Sequence, residues 1–295
     1  MTDGGPAPGL IWIVGPGRVG LSLGVALHRA GAALAFSGRG GAIPNHPLLE
    51  GDPPAARWRG GSFAAPAGLS GIVVAVPDRA VREVAGRLAS ADIDRSVPVV
   101  HTSGALGMEA LESLRAAGHP VGGVHPLAAV ADTVDGADRL RGAAFGVEGE
   151  GLARALAERV VAACGGVALP IRGGGKPLYH AAAVFASNYA VALLAVAERL
   201  MEAAGVDAED ARPALAALAE GAVANVRALG PAAALTGPVA RGDDETVRLH
   251  RARLSAGVRP LYSLLGREAL ALAERAGLDP AAVDRVRAAL GDETP

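Results

Sequence analysis

The chain has 295 residues, 51% of them apolar, with a formal net charge of −2 and a pI of about 6.4. That length and apolar content leave room for two domains with their own cores and exclude a disordered chain. The near-balanced charge offers no field to gather nucleic acid or an anionic membrane, and the single cysteine, Cys164, excludes an internal disulfide framework.

No cysteine–histidine spacing reads as a metal site, so no metal is expected. The opening "MTDGGPAPG" lacks the basic and apolar regions of a secretory signal, and the chain reads as cytoplasmic. The first element is "LIWIVGPGRVGLSLGVALHRAG" (10–31), an apolar run, a glycine turn and a helical pattern, with a second apolar run, "ALAFSGR" (33–39), directly behind it. Strand, turn, helix, strand is the context in which Gly15-Pro16-Gly17-Arg18-Val19-Gly20 means dinucleotide binding. Gly15 makes the tight turn, Gly17 lets a pyrophosphate approach the backbone, and Gly20 lets helix pack on strand. The helix N-terminus then offers N–H groups to the phosphates.

An NAD site usually carries Asp or Glu at the end of the second strand for the ribose 2′-hydroxyl. No acidic residue occurs between Trp12 and Leu49, and the second strand ends Ser37-Gly38-Arg39. A hydroxyl and a guanidinium suit a 2′-phosphate, so the expected cofactor is NADP. A solvated loop arginine is the plainer alternative for Arg39.

Further apolar runs follow at "GIVVAVPD" (71–78), "VPVVHTSGALG" (97–107), "VGGVHPL" (121–127), "AAFGVEG" (143–149) and "VALPI" (167–171), with helical patterns after Asp78 and over 151–163. Strands interleaved with helices call for a mostly parallel sheet of the α/β class, with ligands beyond the carboxyl ends of its strands. The polar exits there are Pro77-Asp78, His101-Thr102-Ser103-Gly104 and His125-Pro126. Val76, Pro77, Ser103 and Gly104 are expected along the cofactor and His125 beside a substrate.

From Lys176 onward the pattern is helical, near 176–204, 207–228, 243–257, 258–275 and 279–290, with Asp243 as an N-cap. The break in "IRGGGKP" divides a Rossmann-like NADP-binding domain, 1–172, from an all-α domain, 173–295. The apolar run 181–197 is short for a membrane span and polar at its middle, so a buried helix is expected.

Lys176 is the only lysine among 28 basic residues. Arginine replaces a solvated lysine at little cost, but not one whose compact ammonium fits against a substrate oxygen or gives up a proton. On a helix His180 shares its face, Ser187 is nearly in line and Asn188 lies to one side. Lys176, His180 and Asn188 are therefore candidate catalytic groups and Ser187 a substrate contact; helix-to-helix hydrogen bonds are the plainer alternative for the last three.

GxGxxG, "VAVPD", "HTSGALG", "VHPL", "KPLYHAAAVFASNY" and "ALTGPVARGDDETV", in that order, resemble a family of bacterial Rossmann-like two-domain proteins. Its C-terminal half is known mainly as a domain of unknown function, and its members are classed as NADP or deazaflavin-dependent oxidoreductases. The family is similar to the β-hydroxyacid dehydrogenase, pyrroline-carboxylate reductase and ketopantoate reductase group. The dehydrogenases open their interdomain helix with Lys-x-x-x-Asn; here Lys176 fits but His180 stands at the asparagine position. The resemblance implies reduction of a small carbonyl or imine compound such as a 2-oxo or 3-oxo acid, with Lys176 as acid. It also implies a homodimer through the helical domain. His125, Asn188, Thr236 and Arg241 would orient the substrate, with Arg241 on a carboxylate or else paired with Asp243 or Asp244. The alternatives are a non-catalytic NADP-binding sensor or scaffold, and a deazaflavin-linked reductase.

Overall fold

Apolar runs bounded by glycine and proline form the strands of one sheet. The computed structural model describes residues 9–291 apart from 131 and 134, so residues 1–8 of the opening stretch lie outside the description. Two compact units divide the chain, Met1–Asn188 and Tyr189–Pro295.

In the first unit β1 (Leu10–Val14) leads through the glycine turn into α1 (Arg18–Arg29) and β2 (Leu34–Ser37). Then come β3 (Ala56–Trp58), β4 (Leu69–Val74), α2 (Asp78–Ala89), β5 (Val99–His101) and a 3-10 turn (Met108–Leu111) that runs into α3 (Glu112–Ala116). The unit continues with β6 (Val121–Pro126), α4 (Gly136–Leu140), β7 (Ala144–Glu148), α5 (Gly151–Ala163), β8 (Val167–Pro170) and α6 (Lys176–Ala186).

The eight strands lie in the order β3-β2-β1-β4-β5-β6-β7-β8, parallel throughout except between β6 and β7. The order reverses between β1 and β4, which opens a crevice at their carboxyl ends. Side chains alternate between faces. Ile11, Ile13, Val73, Val100, Val124 and Phe145 form a core with α1 and α5. Trp12, Val14, Ile72, Val74, Val99 and Val121 form another with α2 and α3. Burial on both faces explains why these strands read as unbroken apolar runs. Each fully buried large side chain contributes about 1.5–3 kcal/mol. The edge strand β3 and the short helices α3 and α4 carry no periodic pattern long enough to foresee.

The second unit holds α7 (Asn188–Ala203) beyond its first residue, α8 (Ala208–Leu229), α9 (Pro231–Ala234), α10 (Asp244–Arg253), α11 (Arg259–Arg275) and α12 (Pro280–Leu290). Asp243 caps α10 as expected, accepting from the Thr246 N–H at 3.0 Å and the Thr246 hydroxyl at 2.8 Å. Val239, Val247, Leu270, Val283 and Val286 make a small core.

The helix expected over 176–204 is broken at Ser187, and it is not buried. Leu178 is 80% exposed on α6 and Val191 68% on α7, while Leu218 is 72% exposed on α8. The 28-residue stretch Lys176–Ala203 contains an 18-residue window of mean hydropathy 1.6 and is long and apolar enough to cross a membrane by length and composition alone. Apolar character predicts burial against something, and these side chains are exposed among the described residues.

Candidate functional site

The turn after β1 is built by steric exclusion. Gly15 has φ +113°, and a Cβ there would meet the Ala75 carbonyl oxygen at 2.4 Å. A Cβ on Gly20 would stand 2.0 Å from the Gly15 carbonyl oxygen, so α1 can approach β1 only through a bare Cα. A Cβ on Gly17, by contrast, would meet nothing within 4 Å. Gly17 is the N-cap of α1, with no side-chain cap and no acid in the first turn. Such an end is open to an anion.

A cleft of about 360 Å³ opens there, lined by Gly15, Pro16, Gly17, Gly38, Arg39 and the Val76-Pro77 exit, as the motif requires. It is completed by residues that sequence reasoning missed. Arg79 and Arg87 join Arg39 with one acid, Glu83, and the Arg87 guanidinium lies 3.8 Å from the centre of the Phe63 ring. Three guanidiniums against one carboxylate fit a phosphorylated ribose. Phe63 is edge-on to Trp12 at 6.2 Å, and a Cβ on Gly38 would meet the Trp58 ring at 2.9 Å. Arg18 opens α1 and Val19 packs on the core beneath the turn. Ser37 is a correction. Its hydroxyl accepts from Trp12 Nε1 at 3.0 Å and faces the Ser62 carbonyl at 3.2 Å, fully buried, so it is spent inside the fold.

The second cluster surrounds Lys176. Its side chain is 1% exposed, and Nζ donates to the Ser103 carbonyl oxygen at 2.7 Å, at the exit of β5. Gly146 makes the space for Tyr179, since a Cβ there would strike its ring at 2.5 Å, and a Cβ on Gly123 would lie in ordinary contact with Lys176 Nζ at 3.6 Å. The Tyr179 hydroxyl accepts from the Gly146 N–H at 3.1 Å and donates to the His125 carbonyl at 3.2 Å. His125 Nδ1, 3.0 Å from that hydroxyl, is therefore the donor between the two, which leaves Nε2 as an acceptor. His125 Nε2 and His180 Nδ1 converge where Gly104 lacks a side chain, 2.8 and 2.5 Å from its would-be Cβ. His180 Nδ1 is buried there with no hydrogen-bond partner among the described residues. His101 Nδ1 accepts from the Ser103 N–H at 3.2 Å, so its Nε2–H points to the Gly107 carbonyl at 3.2 Å.

Burial and then the Lys176 charge push His101 and His125 down to about 4, so both are neutral near pH 7. Burial lowers Lys176 from its ordinary value, and Glu148, Asp78 and Glu109 oppose that. The cluster thus offers one ammonium, a neutral imidazole acceptor and an unpartnered ring nitrogen around the Ser103-Gly104 turn.

A family model for a Rossmann-like domain matches residues 6–126, and one for a domain of unknown function (DUF2520) matches residues 143–269. The chain joins a Rossmann-like domain to a DUF2520 domain. No curated protein sequence matches it. Among solved structures, a Thermotoga maritima protein is similar at TM-score 0.71 and 22% identity, covering 90% of this chain and 99% of its own. Plasmodium falciparum pyrroline carboxylate reductase, solved with NADP bound, matches at TM-score 0.56 and 14% identity over 97% and 99% of the two chains. A reductive aminase from Aspergillus terreus, solved with NADPH and ethyl-5-oxohexanoate, matches at TM-score 0.56 and 17% identity over 96% and 92%. At these identities the likeness is one of fold.

The lysine cluster draws on both domains. His101, Ser103, Gly104 and His125 come from the Rossmann-like part, and Glu148, Lys176, Tyr179 and His180 from the DUF2520 part. Ser187 and Asn188 do not join it. Both are exposed; Ser187, at the end of α6, lies ~16 Å along the axis from Lys176, and Asn188 begins the next helix. Thr236 and Arg241 belong to the second unit, where Arg241 is exposed before the Asp243 cap and its charge helps the Thr246 hydrogen bonds lower the Asp243 carboxyl. Tyr179 and Glu148 were missed. The signal available was the glycine pair inside "VGGVHP", since glycine in a strand interior marks a close approach.

Proposed function

We propose that the chain is an NADP-dependent oxidoreductase that reduces a small carbonyl or imine compound, with Lys176 as acid or electrostatic stabiliser. The observation that carries this reading is the buried Lys176 Nζ at the β5 exit, beside His125 and His180. The turn Gly15–Gly20, Arg39 and the Val76-Pro77 exit would hold the cofactor, which when bound supplies a hydride.

Lys176 spends one of three N–H bonds on Ser103. In this reading another would go to a substrate oxygen or nitrogen on which charge builds, and burial makes the ammonium a readier acid. His125 Nε2, neutral and accepting, orients a substrate hydroxyl or N–H. The 2-oxo and 3-oxo acids, ketopantoate and cyclic imines are the compounds to screen for NADPH oxidation. Binding of NADPH without turnover across that panel would favour the sensor reading instead. The nucleotide preference has its own expected result. Arg39→Ala should weaken NADPH ~10–100-fold more than NADH, as loss of a charged hydrogen bond of ~1.5–3 kcal/mol requires, read by titration calorimetry. Equal losses would overturn the 2′-phosphate assignment.

We also propose that a second copy of the chain covers the apolar surfaces of α6, α7 and α8. Lys176 and Tyr179 tie the start of α6 to the sheet, which favours a protein partner over a bilayer. Sedimentation equilibrium without detergent should give twice the mass of 29.3 kDa, and a monomer would refute this.

A further inference from the structure

We infer that Glu148 is the buried counter-charge that holds Lys176 as an ammonium, a positioning residue acting through the lysine. The inference deepens, and in its catalytic consequence rests on, the reading of Lys176 as the acid.

Glu148 ends β7, the strand that reverses direction, and stands directly opposite Gly123 in the antiparallel pair. Opposite residues of such a pair project to the same face. The face at Gly123 is the one occupied by Lys176 Nζ and the His101 ring, 3.6 and 3.5 Å from its would-be Cβ. Glycine at 123 puts no side chain of its own on that face. Glu148 is 4% exposed, the one buried acid among the described residues, and its Oε2 has no hydrogen-bond partner among them. A carboxylate in that position needs a cation. The two groups make no direct ion pair, so the interaction acts through space.

Other charges face the lysine. Asp78 on α2 and Glu109 on the 3-10 turn act on it from exposed positions, while His101 and His125 face it from β5 and β6 and His180 lies one turn along its own helix. Glu148 is the largest of the anionic influences.

Because Lys176 is the only lysine, protein labelled with ε-13C-lysine shows one ε resonance, whose pH titration reads this amine alone. Glu148→Gln keeps the shape and removes the charge. It should lower the Lys176 midpoint by about one pH unit or more, and Glu148→Asp should restore part of the shift. An unchanged midpoint in Glu148→Gln overturns the inference. Coupling is reciprocal, so Lys176→Met must raise the Glu148 carboxyl midpoint by a comparable amount, and failure there overturns it equally. Neither titration needs a substrate. Absence of any reductase activity would sink the proposed function and leave this result standing, whereas lysine-dependent turnover with uncoupled titrations would sink this inference alone. Where turnover is found, the alkaline limb of kcat/KM should move to lower pH in Glu148→Gln.

Discussion

Lys176→Met should bind NADPH within about twofold of the parent and lose turnover by ~10²–10⁴-fold, the range for removal of a positioned acid. Methionine fills the aliphatic path of the lysine, so the sheet face stays packed, while the Ser103 carbonyl and Glu148 lose their cation. Lys176→Arg should not rescue the activity, because a planar guanidinium is too large for a site 1% exposed. Single-turnover kinetics on the best substrate of the panel is the measurement, and undiminished kcat would remove Lys176 from the chemistry. The pH profile carries a second signature, since His101 and His125 contribute near pH 4 rather than near their ordinary value. Stability also moves. Burial already holds the Glu148 carboxyl above its usual value, and losing Lys176 raises it further. A carboxyl with a raised folded-state pKa favours the fold below its unfolded pKa of ~4.3, and that contribution disappears as pH rises through the folded value. The Tm deficit of Lys176→Met should therefore widen as pH rises above the unfolded carboxyl value; a gap that narrows would contradict the burial of an ionised Glu148.

Gly20→Ala should abolish measurable NADPH binding and cost about 1–3 kcal/mol of stability, as overpacking does. The new methyl would stand 2.0 Å from the Gly15 carbonyl oxygen, a backbone atom that no rotamer change can move. α1 must withdraw from β1, and the phosphate-binding turn goes with it. Gly17→Ala separates the two effects, because its methyl meets no protein atom within 4 Å. It should melt like the parent and lose binding only, as expected where the open space belongs to a pyrophosphate. Denaturant unfolding beside NADPH titration distinguishes them, and a Gly20→Ala protein of parental affinity would refute the packing argument.

The fold and the cleft were largely legible because their causes are local. Glycine spacing after an apolar run specifies the turn, and strands buried on both faces announce themselves as unbroken apolar segments. Convergence of Lys176 and His180 on the Ser103-Gly104 and His125 exits followed from the rule that strand ends gather ligands. What failed depended on distance or partners far along the chain. Ser187 shares a helical face with Lys176, but a shared face says nothing about separation along the axis. The hydroxyl of Ser37 is claimed by Trp12, which is 25 positions earlier. Strand direction leaves no trace in an apolar run either, so "AAFGVEG" gave no hint that β7 reverses and sets Glu148 across from Gly123.

The aromatic edge of the cleft has a practical outcome. Both indoles of the chain border it, Trp12 through Phe63 and Trp58 through Gly38, so intrinsic emission reports its filling without an attached dye. Excitation transfer from these rings to a reduced nicotinamide would let occupancy be followed optically in real time.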